Sequence, residues 1–192
     1  VKAQPFLITG LPRSRTAWLS VLCTTGNAFC YHEPSTQFED ISDLKDFYNK
    51  DSPRFVGVSD AALGFYLPWI MENIRPKTLI IDRDIEDVKK SFGRLGARTT
   101  GLRMLYDDLV AFREHPSVMW VPYCLLDTKR IIEKIFLHLM PGESFDEARY
   151  EQLSDMRITI NVPKRISKIR NKDWTIRSLG KDKDWSKYYA AA

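Results

Sequence analysis

Pro5-Phe6-Leu7-Ile8-Thr9-Gly10-Leu11-Pro12-Arg13-Ser14-Arg15-Thr16-Ala17-Trp18-Leu19 carries more structural information than any other part of the chain. An apolar run suited to a buried strand passes into a Gly/Pro turn, and an amphipathic helix follows. The first turn of a helix leaves backbone N–H groups unpaired and carries a partial positive charge, both favourable to phosphate. Arg13 and Arg15 add forked cationic donors, and Ser14 and Thr16 add hydroxyls. The stretch therefore predicts a site for a phosphorylated ligand; the plain alternative is a strand–turn–helix with surface arginines. It is not a nucleoside-triphosphatase loop. That pattern requires Gly, four residues, then Gly-Lys-Ser/Thr, and counting from Gly10 those places hold Arg15, Thr16 and Ala17.

Outward from the loop, strand and helix patterns alternate. Helices are expected over 16–25, 41–48, 61–73 with Pro68 as a kink or division, 85–92, 96–114 and 127–139; strands are expected over 28–31, 54–58, 77–81 and 118–122. Residues 158–162 read as an edge strand ended by Pro163. Alternation of this kind predicts an α/β fold, a three-layer sandwich around a mainly parallel sheet. Ligands on such sheets sit beyond the C-terminal strand ends. That rim would gather the 10–18 loop, His32-Glu33, Ser59-Asp60 and Arg83.

The chain has 192 residues, 44% of them apolar and 12% aromatic, which suits one domain over 1–192. No apolar run approaches a membrane span. Cys23, Cys30 and Cys124 are odd in number and lack metal-ligand spacing, and the three histidines are scattered, so no metal is expected and a reducing, cytoplasmic setting is. The net charge of +4 is uneven: residues 157–187 hold ten Lys/Arg against three Asp. This basic segment suits ligand phosphates, an acidic acceptor or a solvated end; nucleic acid is the least favoured partner.

A second anion element lies at Arg83, just after a strand, with Ser91 eight positions on. Eight residues are a little over two helical turns, so Ser91 returns near the face where the helix starts. The alternative is an arginine held by Asp84 or Glu86 beside a surface serine.

In order along the chain, these elements resemble the P-loop sulfotransferases, which move a sulfuryl group from 3′-phosphoadenosine 5′-phosphosulfate (PAPS) to a hydroxyl or amine. Pro12-Arg13-Ser14-Arg15-Thr16-Ala17-Trp18 is similar to their Pro-Lys/Arg-Ser-Gly-Thr-Thr-Trp/Leu loop. Arg83-Asp84-Ile85-Glu86-Asp87-Val88-Lys89-Lys90-Ser91 is similar to their Arg-Asp/Asn-Pro-x-Asp-Val-x-x-Ser element. Val121-Pro122-Tyr123-Cys124-Leu125-Leu126 stands where they carry a Tyr-Glu-Asp-Leu-like segment. The resemblance covers roughly residues 5 to 140. It implies PAPS as co-substrate, with Arg13 at the transferring sulfuryl group and its leaving oxygen. Ser14, Arg15, Thr16 and Ala17, with nearby backbone N–H groups, would line the 5′-phosphate. Trp18 would stack near adenine, Tyr123 would touch the adenine edge, and Arg83 with Ser91 would bind the 3′-phosphate. Arg170 and Lys172, in Lys168-Ile169-Arg170-Asn171-Lys172-Asp173-Trp174, loosely match a basic C-terminal phosphate loop whose glycines are absent here.

The departures matter as much as the matches. Arg15 replaces a glycine that lets backbone approach phosphate, and it would either add an anion contact or obstruct the loop. Ala17 removes a hydroxyl. The histidine many members use as base beyond the third strand is absent, where Ser59-Asp60 stands instead. Glu33 is the expected base, with the adjacent His32 and Asp60 as alternates. A salt bridge from Glu33 to Arg13 or Arg15 would lower its pKa and weaken it as a base. The competing reading is a non-catalytic module holding PAPS, its product PAP or another nucleotide; a nucleotide kinase is disfavoured by the missing lysine. The acceptor is unspecified, and a homodimer or a macromolecular acceptor would complete so small a site.

Overall fold

Five parallel strands form the centre of the computed structural model, which describes residues 3–49, 53–94, 100–154 and 156. They are β1 (Gln4–Gly10), β2 (Ala28–His32), β3 (Phe55–Ser59), β4 (Lys77–Asp82) and β5 (Val118–Pro122), in the order β2-β3-β1-β4-β5. β1 is central: Gln4 to Ile8 run beside Phe55 to Ser59, and Phe6 to Gly10 run beside Lys77 to Ile81. A strand flanked on both sides and covered on both faces must be apolar throughout, and Phe6, Leu7 and Ile8 are fully buried.

Strand alternation sends these side chains to opposite faces. Leu7 joins one core with α2 (Leu44–Asn49), α3 (Leu67–Asn73), Val88 of α4 (Ile85–Gly93) and α5 (Leu102–Val110). Phe6 and Ile8 join the other with α1 (Thr16–Leu22), α6 (Lys129–Leu139) and Leu153 of α7 (Glu147–Ser154). The three-layer arrangement follows from this split. Gly57 of β3 has no room for a side chain, since a Cβ there would lie 2.0 Å from the Phe6 ring.

The strands lie where the sequence places them, within a residue. The helices differ more. α1 stops at Leu22, because Thr24 turns its hydroxyl back to the Ser20 carbonyl and Thr25 donates to Ala28 to begin β2. The segment expected as one helix over 61–73 is divided: a 3-10 turn covers Ala62–Tyr66, and Pro68 then occupies the first turn of α3, where its missing N–H is harmless. The helix expected over 41–48 likewise begins as a 3-10 turn, Ile41–Asp43. α5 is Leu102–Val110, shorter than expected. α7 was not legible, since Leu153 is its one buried residue and it has no apolar stripe. The strand expected over 158–162 and the basic segment, with Arg170 and Lys172, lie outside the described residues.

In this strand order the connection from β1 leads to β2 on one side, and the connection from β4 leads to β5 on the other. The loops after β1 and β4 therefore open together at the C-terminal end of the sheet, the position where such sheets bind ligands. Among the described residues, no helix is long and apolar enough to cross a membrane.

Candidate active site

The loop after β1 turns at once. Gly10 has φ +153°, and a Cβ there would lie 2.6 Å from the Ile81 carbonyl, so only glycine lets β1 and β4 run this close. Arg13 and Arg15 both adopt left-handed backbone, φ 70° and 61°. For non-glycine residues this costs about 1–2 kcal/mol each, and such strain gathers at functional turns. Ser14, between them, is fully buried, and its Oγ has no hydrogen-bond partner among the described residues. A buried hydroxyl left unpaired is unfavourable by about 1–3 kcal/mol.

The loop is joined to the end of β4. Arg83 donates through its guanidinium to the Arg13 carbonyl and lies 4.1 Å over the Tyr123 ring, while its Nε is buried and has no partner among the described residues. The exposed Arg13 side chain points Nε at Ser91 Oγ, 3.4 Å away on α4. Arg83 is thus not held by Asp84 or Glu86. Asp84 caps α4 by accepting from Glu86 and Asp87, and Glu86 pairs with Lys89. Arg13, Ser14, Arg83, Ser91 and Tyr123, drawn from positions up to 110 residues apart, form one polar cluster.

Three residues of this segment, Trp18, Arg15 and Thr16, have partners elsewhere in the protein. Trp18 is 5% exposed, packs in the core against Tyr150, and donates its indole N–H to the Leu153 carbonyl at 2.8 Å. Packing has claimed it, and an open stacking position for adenine is not what this ring occupies. Arg15 turns away from the loop to Asp127, at 2.5 Å, and to the Leu126 carbonyl, at 3.3 Å, with its guanidinium 4.9 Å from the Trp18 ring. Thr16 is buried, and its carbonyl accepts from Ser59 Oγ at 2.8 Å, anchoring α1 to β3. Ala17 is partly buried on α1. With seven residues, α1 is a short helix, and the charge of the site comes mainly from arginines and loop backbone.

The second half of the rim follows β2 and β3. Glu33 takes left-handed backbone, φ 49°, donates its N–H to the Ser59 carbonyl and carries a side chain 42% exposed. His32 Nε2 lies 4.0 Å from its carboxylate. Asp60 is 2% exposed; its carboxylate accepts from the Ser35 N–H at 3.1 Å and the Ala62 N–H at 2.9 Å. Burial pushes the Asp60 carboxyl above the usual carboxylate range, the Ser35 and Ala62 donors pull it back, and nearby Glu33 adds to the rise. Of the two arginines that the alternative reading would pair with Glu33, Arg15 binds Asp127 and Arg13 points at Ser91. Sequence reasoning did not anticipate Asp127, which no motif marks, or the structural duty of Asp60. Among the described residues no cluster of three or more His, Cys, Asp or Glu side chains could hold a metal ion. Cys23 and Cys30 are buried and Cys124 is exposed, all three as free thiols.

No protein-family model matches the sequence, and comparison with curated proteins gives no significant match. Comparison with solved structures does. Mouse sulfotransferase SULT7A1 complexed with PAP is similar in fold with TM-score 0.56 and 13% identity, over 79% of this chain. The match spans 63% of the mouse protein's length, less than two thirds of it. A sulfotransferase from Alicyclobacillus acidocaldarius is similar with TM-score 0.52 and 12% identity, over 98% of this chain and 100% of that one. The chain has the sulfotransferase-type α/β fold, in divergent form.

Proposed function

We propose that the protein is a PAPS-dependent sulfotransferase acting on a hydroxyl or amine acceptor. The observation that carries this reading is the joined cluster of Arg13, Ser14, Arg83 and Ser91, in which a fully buried hydroxyl and a buried guanidinium Nε both lack partners among the described residues. Those orphaned donors fit an anionic ligand, and the fold is one in which a solved relative holds PAP. Two separate cationic elements suit a nucleotide phosphorylated at both ends.

In this reading Ser14 and the left-handed loop backbone hold the 5′-phosphate, Arg83 and Ser91 hold the 3′-phosphate, and Tyr123 backs the adenine side. Sulfuryl transfer is akin to phosphoryl transfer, with charge growing on the leaving oxygen, so positioning and cationic stabilisation dominate. Arg13 supplies that charge. It stays protonated and does not donate a proton, so its assistance is electrostatic. Glu33, exposed at the end of β2, is the group we assign to accept the acceptor's proton, with His32 beside it to orient the carboxylate. Asp60 is withdrawn from this duty by burial.

Incubation with PAPS and a panel of phenolic, sugar and amine acceptors tests the assignment. Acceptor-dependent PAP release that is lost in Arg13→Ala supports it. PAP binding with no release for any acceptor leaves the second reading, a PAPS- or PAP-holding module. That reading draws on one observation: the place after β3 holds a buried, hydrogen-bonded Asp60 instead of an accessible base.

A further inference from the structure

Arg15 stands where the similar loops carry glycine, in a conformation glycine would adopt without strain. Its side chain makes three contacts, two of which lead to one place. It pairs with Asp127, donates to the Leu126 carbonyl and stacks over Trp18. Leu126 closes the 3-10 turn Tyr123–Leu125, whose first residue carries the ring beneath Arg83. Arg83 in turn donates to the Arg13 carbonyl. The path from Arg13 through Arg83 and Tyr123 to Leu126 and Asp127, and back through Arg15, is a closed ring of contacts. It encloses the loop and the adenine-side segment in one rigid unit.

Resting on the sulfotransferase reading, we infer that Arg15 and Asp127 form a strut that fixes the spacing between the phosphate loop and the Tyr123 segment. They are positioning residues for nucleotide recognition, not ligand contacts. Asp127 is exposed and touches no other group assigned to the site. A loop with glycine at 15 would be less strained but free to move relative to Tyr123. Pre-organisation of two subsites lowers the ordering required of the ligand-bound state.

The test is calorimetric titration with PAP, paired with thermal unfolding. Arg15→Gly should leave the melting temperature within about 2 °C, since relief of left-handed strain offsets the lost pair, while weakening PAP about fivefold. Asp127→Ala should weaken PAP by a similar factor, Asp127→Glu should restore most of it, and the double variant should be no weaker than either single one. Because Asp127 is exposed, the difference from wild type should shrink at high salt. PAP affinity that is unchanged or tighter in Arg15→Gly, or losses that multiply in the double variant, would overturn the strut while leaving the sulfotransferase reading intact. A wild-type protein that fails to bind PAP would remove that reading and the strut with it.

Discussion

The two halves of the C-terminal rim handle buried polar groups in opposite ways. After β1 and β4, Ser14 Oγ and Arg83 Nε are buried without partners among the described residues, and two arginines of the loop, 13 and 15, are held in left-handed backbone. After β3, a carboxylate equally buried, that of Asp60, is met by two backbone donors. On the proposed reading the two halves serve different ends. The first half is arranged for something that arrives; the second is arranged to hold its own chain, and with it the turn that presents Glu33.

The largest expected effect tests the proposed base, Glu33, on the scaffold side. Glu33→Gln should slow sulfuryl transfer from PAPS by about 100-fold or more, the usual range for loss of a general base, with PAP affinity nearly intact. Turnover equal to wild type would remove Glu33 as the base and strengthen the binding-module reading.

Next comes Asp60. Asp60→Ala leaves the Ser35 and Ala62 N–H groups buried without an acceptor, and should lower unfolding stability by about 2–3 kcal/mol, read from the urea midpoint. Asp60→Asn, which keeps one acceptor oxygen, should lose less. If Asp60→Ala unfolds like wild type yet binds PAP poorly, the division between a ligand half and a scaffold half is wrong.

On the ligand half, Arg83→Ala should weaken PAP by about 10- to 30-fold, the loss of one charge-assisted contact. Adenosine 5′-phosphosulfate, which lacks the 3′-phosphate, should weaken far less. Equal losses for both would move Arg83 off the 3′-phosphate.

The smallest effect is expected outside both halves, on α5. The Asp108 carboxyl is pushed up to about 6 by burial, with Asp107 adding to it. A carboxyl whose folded pKa lies above its unfolded value binds more protons in the folded state. Its contribution is present below about pH 4 and is lost as pH rises through about 6. Asp108→Asn should therefore raise stability modestly at pH 7.5 and flatten the fall between pH 4 and 6. An identical pH profile in the variant would contradict this.

How much of this was legible in the sequence depended on whether a feature was local. Strand positions came through because β1 and β4 carry unbroken apolar runs, Phe6 to Ile8 and Leu79 to Ile81, a pattern set by burial on both faces. The nearness of Arg83 and Ser91 could be read because helical periodicity brings positions eight apart to one side, and both lie against Arg13. Trp18 did not, because a tryptophan beside an anion loop reads the same whether it stacks on a ligand or packs in a core; the Leu153 carbonyl, 135 residues away, settles its place. Arg15 was visible as a departure, but its partner Asp127 is 112 residues distant and carries no motif. The same applies to Asp60, whose donors are set by a turn that local propensity did not reveal. α7 was missed for a different reason, since one buried residue gives no period to read.

The central claim is that the orphaned cluster at the loop holds a 3′,5′-bisphosphorylated adenosine. Calorimetric titration of the wild-type protein with PAP, against AMP and against ATP with magnesium, tests it most directly. The account predicts binding of PAP in the micromolar range without added metal, and at least about tenfold preference over AMP, since Arg83 and Ser91 engage only the 3′-phosphate. Equal affinity for PAP and AMP, or preference for ATP with magnesium, would contradict it.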